Sequence, residues 1–84
     1  MNSKHKKTLD AVFTGPLPGK IPWQDIEALL RAVGAEMSEG SGSRVRFRKG
    51  EEKALFHRPH PRKEAKRYQV LEARAFLVRL GITP

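Results

Sequence analysis

The most regular pattern along the chain is a strict alternation, in which Val45 and Phe47 sit between Arg44, Arg46 and Arg48. Period two marks a strand with one buried and one solvated face, so residues 44–48 are predicted as a strand. Lys49-Gly50-Glu51 supplies a tight turn, and residues 53–57 are predicted to return as the antiparallel partner. There Ala54 and Phe56 share one face, while Lys53, Leu55 and His57 share the other. If the apolar residues face a core, the hairpin presents Arg44, Arg46, Arg48 and His57 on its open side. A short segment at 35–38, set off by Glu39-Gly40-Ser41-Gly42-Ser43, is expected to add a third strand.

Helical spacing replaces alternation on either side. Over 22–33, Trp23, Ile26, Leu30 and Val33 recur on one face with Leu29 beside them. Pro22 suits a first turn, Asp25 and Glu27 lie near the positive helix end, Arg31 near the negative end, and Gly34 stops the helix. Trp23 is assigned to the core rather than to base stacking. Residues 3–13 read as a shorter helix with Ser3 as N-cap and Leu9, Val12 and Phe13 on one face, broken by Gly15-Pro16-Leu17-Pro18-Gly19. A last helix is predicted to begin within 64–67 and to end at Leu80. Its apolar line is Tyr68, Leu71, Ala75 and Val78, widened by Phe76, Leu77 and Leu80, and Gly81 stops it.

The predicted order is helix, helix, three strands, helix. Residues 1–20 are expected to form an N-terminal helix with a Pro/Gly linker, and residues 21–84 a two-layer α+β domain. In that domain a three-stranded antiparallel sheet carries its helices on one face. Double-stranded-RNA-binding domains are built this way and read shape and backbone rather than sequence.

Composition narrows the picture further. Eighty-four residues make one small domain, and 38% hydrophobic with 31% charged residues suits a globular chain. The absence of cysteine excludes disulfides, cysteine-ligated zinc and thiol catalysis. No apolar run has membrane-spanning length and no secretory leader is evident, so a cytoplasmic protein is expected, with no membrane partner. The net charge of +8 is unevenly placed: ten of the 17 Lys and Arg residues fall in 44–67, against three of the nine carboxylates. A cationic concentration of this kind attracts a phosphate backbone through counterion release and long-range steering.

The candidate chemistry lies in the same stretch. His57-Arg58-Pro59-His60-Pro61-Arg62-Lys63 interleaves two of the three histidines with three cations, and the prolines hold residues 58–61 extended. Histidine exchanges protons near neutrality, and Arg and Lys partner phosphate oxygens, which points to RNA binding or RNA cleavage. His57, at the end of the paired strand and on Arg44's face, is the first candidate for proton transfer, with Arg44, Arg46 or Arg62 stabilising charge on the phosphoryl oxygens. The RNA-binding set comprises Ser43, Arg46, Arg48, Arg58, Arg62, Lys63, Lys66 and Arg67. Two histidines with few nearby acids make a poor metal site, so neither metal nor cofactor is expected.

Three runs carry a family resemblance: Ile26-Glu27-Ala28-Leu29-Leu30-Arg31-Ala32-Val33-Gly34-Ala35-Glu36, Gly42-Ser43-Arg44-Val45-Arg46-Phe47 and His60-Pro61-Arg62-Lys63-Glu64. Together, over residues 21–81, the chain resembles the HicA toxins of bacterial toxin-antitoxin modules. The resemblance implies a small toxin that cleaves mRNA without metal, arrests translation and growth, and is neutralised by a HicB-type antitoxin. It also implies a departure. The family's usual catalytic histidine directly follows the Gly-Ser pair, and Arg44 occupies that position here. Arginine stabilises a pentavalent phosphate but carries protons poorly. Catalysis therefore requires a neighbouring histidine, for which His57 and His60 are the candidates. A non-catalytic RNA-binding or antitoxin-binding module of the same fold is the alternative, and DNA binding ranks last because no helix-turn-helix pair carries basic residues on a recognition helix.

Overall fold

The computed structural model describes residues 1–15, 20–60 and 62–84; the Pro16-Leu17-Pro18-Gly19 break and Pro61 lie outside them. The described elements are helices α1 (Ser3–Val12) and α2 (Trp23–Ala32), strands β1 (Glu36–Glu39), β2 (Arg44–Lys49) and β3 (Glu52–His57), and helix α3 (Arg67–Arg79). The three strands form an antiparallel sheet in the order β1-β2-β3. This is the predicted α+β arrangement.

The hairpin follows its alternation. Val45, Phe47, Ala54 and Phe56 are buried, and Arg44, Arg46, Arg48, Lys53, Leu55 and His57 are exposed. Lys49 pairs with Glu52, so only Gly50 and Glu51 make the turn. Gly50 has φ of 61° while Glu51 has a negative φ, the combination of a two-residue turn with glycine in its first position. A side chain at residue 50 would be strained there.

Phe56 joins the sheet to the helices. Its ring centroid lies 5.0 Å from that of Trp23 and 6.0 Å from that of Phe47. Trp23, only 4% exposed, is a core residue as expected, and Ile26, Leu29 and Leu30 continue the buried face of α2. Lys49 Nζ donates to the Val33 carbonyl at 2.6 Å and covers the C-terminal end of α2.

Two expectations about the helices are corrected. The N-cap of α1 is Asn2, not Ser3: the Asn2 side-chain oxygen accepts the His5 N–H at 2.8 Å. In α3 the buried face is Gln69, Val70, Ala73, Phe76 and Leu77, whereas Tyr68 and Val78 are 61% and 53% exposed. The line Tyr68, Leu71, Ala75 and Val78 therefore runs along the outer side of α3. The helix is apolar around most of its circumference, so helical spacing alone fits two phases, and packing against the sheet selects the other one.

Helix α1 packs against both α2 and α3, with Thr8, Leu9 and Val12 buried. Arg74 on α3 holds its C-terminal end by donating from Nε to the Val12 carbonyl and from a terminal nitrogen to the Gly15 carbonyl, each at 2.8 Å.

Candidate functional site

The open face of the sheet is set by strand register. Arg44 pairs with His57, Arg46 with Leu55 and Arg48 with Lys53, while Ser38 and Glu36 flank Arg46 and Arg48 from β1. Directly paired residues in an antiparallel sheet point to the same face, so the Arg44 and His57 side chains leave the sheet side by side. The ladder continues one step further, because the Arg58 N–H donates to the Ser43 carbonyl at 2.9 Å. Ser43 is thereby fixed beside the pair.

Among the described residues no carboxylate lies within ion-pairing distance of Arg44, Arg46 or Arg48. Arg48 even faces Lys53 across the strands, and like charges at directly opposed positions oppose folding. Leu55, at 70% exposure, stands among these cations. The face is thus a row of three guanidinium groups without a close ion pair among the described residues, with Glu36 opposite Arg48, Leu55 in its middle and an imidazole at one end. A polyanion would relieve its repulsion.

Arg58 has a different setting. It follows His57, and strand alternation turns its side chain to the opposite side. Its Nε donates to Glu27 on α2 at 2.7 Å, and a terminal nitrogen pairs with Glu39 at the end of β1. Hydrogen bonding to Glu27, then to Glu39, pushes the pKa of its guanidinium above its ordinary value despite partial burial. Glu27 also accepts the Trp23 indole N–H. Arg58, grouped by sequence with the phosphate contacts, is here engaged within the protein and ties three elements together beneath His57.

The remaining cations lie on the connection from β3 to α3. That segment is pinned to the chain before α2: the Trp23 N–H donates to the Lys63 carbonyl and the Ala65 N–H to the Ile21 carbonyl, each at 2.8 Å. A groove of about 440 Å³ lies between the start of α2 and this connection, bordered by Gln24, Pro59, Arg62 and Lys63. His60, Arg62, Lys63, Lys66 and Arg67 are all exposed. Among the described residues no hydrogen bond joins the His60 side chain to His57.

Sequence reasoning missed Gln69. It is 1% exposed, its Nε2 donates to the His57 carbonyl at 2.6 Å, and its Oε1 accepts the Lys66 N–H at 2.9 Å. One amide therefore holds the backbone of His57 and caps the first turn of α3. No sequence signal marked it, because Lys66 is not a capping residue type and glutamine is ordinarily exposed. Among the described residues no cluster of three or more His, Cys, Asp or Glu forms a metal site, and no helix is long and apolar enough to cross a membrane.

The family model for the HicA toxin of bacterial toxin-antitoxin modules matches residues 23–82. The chain belongs to the HicA toxin family. The match begins at α2 and ends just beyond α3, so it takes in the whole sheet, the Arg44–His57 pair and Gln69. Searches among curated proteins and among solved structures return no match. Membership makes this HicA chain the toxin component of a toxin-antitoxin pair and implies an antitoxin partner.

Proposed function

We propose that this HicA chain is a metal-independent endoribonuclease acting on mRNA, neutralised by a HicB-type antitoxin that covers its basic surface. The observation carrying the reading is the register of Arg44 with His57 on the open face. This register sets a proton carrier directly beside the residue that stands where the resemblance places a histidine. In the reaction, the His57 imidazole takes the proton of a ribose 2′-hydroxyl and the 2′-oxygen attacks the adjacent phosphorus. The P–O5′ bond then breaks, and the departing 5′-oxygen takes a proton from His60 or from water. A 2′,3′-cyclic phosphate and a 5′-hydroxyl result. Arg44 stabilises the charge that builds on the non-bridging oxygens, and Arg46 with Arg62 holds the flanking phosphates.

A second reading is a silent RNA-binding or antitoxin-binding module, which the replacement of histidine by Arg44 supports. Controlled expression in a bacterial host separates the two. The nuclease reading expects growth arrest with decay of mRNA, abolished by His57→Ala at equal protein level. Growth arrest that persists in His57→Ala with mRNA intact would overturn it.

A further inference from the structure

Tyr68 is the exposed aromatic ring of this protein. It stands 61% accessible in the first turn of α3, directly after Lys66 and Arg67, and among the described residues no other ring packs against it. The next residue, Gln69, is bonded to the His57 carbonyl at 2.6 Å. A glutamine side chain spans about 5 Å and consecutive Cα atoms lie about 3.8 Å apart, so the Tyr68 Cα is within roughly 11 Å of that carbonyl. At about 100° per residue, Tyr68 falls on the same flank of α3 as Arg79. Arg79 reaches β3, donating to Glu52 Oε1 at 2.8 Å and to the Lys53 carbonyl at 3.0 Å. That flank therefore borders β3, the edge strand that ends at His57. Tyr68 thus lies in the helix layer, at the end of α3 nearest the His57 backbone.

We infer that Tyr68 is the stacking platform for an unpaired RNA base adjacent to the phosphate held by Arg44 and His57, an inference that rests on the RNA reading above. A base has an apolar face and a charged backbone on either side of it. An exposed phenol ring next to two cations that make no ion pair among the described residues offers the matching surface, and stacking on it requires no particular base. The basic face of the sheet then continues around the end of β3 onto α3. Cleavage would occur in single-stranded segments, where a base is free to leave its neighbours.

The test uses a mixed-sequence single-stranded RNA carrying 2′-O-methyl groups, which removes the nucleophile so that binding is read without cleavage. Fluorescence anisotropy compares the unmodified full-length protein with Tyr68→Ala, Tyr68→Phe and Val78→Ala. Tyr68→Ala is expected to weaken binding about ten-fold, with the salt slope unchanged because no phosphate contact is lost. Tyr68→Phe keeps the ring and is expected to bind as the unmodified protein does. Val78→Ala, farther along the exposed side of α3, is expected to have no effect. Unchanged affinity in Tyr68→Ala overturns the stacking site alone and points the exposed ring toward a protein contact. Equal losses in the Ala and Phe variants assign the effect to the hydroxyl and also overturn it. No RNA binding by the unmodified protein removes the RNA reading and this site with it.

Discussion

His57 and Arg58 are adjacent in the chain and face opposite sides of the sheet, and this separates chemistry from support. His57 stands beside Arg44 in open solvent, whereas Arg58 is held by Glu27 and Glu39. Replacing Arg58 by Met is expected to lower stability by about 1 to 2 kcal/mol in urea unfolding, the loss of charge-assisted hydrogen bonds at a partly exposed site. Its effect on the salt slope of RNA binding is expected to be small. Arg46→Met, by contrast, is expected to leave stability nearly unchanged and to lower that slope by about one. Equal slopes in the two variants would return Arg58 to the phosphate contacts. The alternation of β3 already turns Arg58 away from the open face. Its partners were not legible, because pairing Glu27 with a residue 31 positions away depends on how α2 crosses the sheet.

At the scale of elements, the hairpin was readable because two-residue alternation admits one register per buried face. The phase of α3 was not, since its apolar residues surround most of the helix and the buried face includes a glutamine. Gln69 earns burial through two hydrogen bonds rather than through apolarity. Gln69→Met keeps the length of the side chain and removes both bonds. It is expected to cost about 1 to 2 kcal/mol of stability and to reduce RNA cleavage more than RNA binding, because His57 loses its backbone anchor. Helix α1 makes a parallel case: a short helix with a narrow apolar stripe reads equally as an appendage packed on the domain or as a mobile arm. Leu9, 5% exposed, decides for the core. Leu9→Ala is expected to lower stability by about 2 to 4 kcal/mol in urea unfolding, and a change near zero would show that α1 does not pack on the domain in solution.

The whole molecule carries a net charge of +8, and ten of its 17 Lys and Arg residues fall in 44–67, on the hairpin, the connection after it and the start of α3. A protein with this distribution is expected to bind single-stranded RNA with a steep loss of affinity as salt rises. Family membership, read from residues 23–82, makes the chain a toxin-antitoxin toxin with an antitoxin partner. On the proposed reading His57, one strand away from Arg44, carries the proton. Its most direct test is single-turnover cleavage of a mixed-sequence RNA in EDTA, with affinity for a non-cleavable RNA measured in parallel. His57→Ala is expected to cleave at least about 100-fold more slowly at nearly unchanged affinity, and the unmodified protein to leave 2′,3′-cyclic phosphate ends. Cleavage by His57→Ala at the unmodified rate would contradict the account.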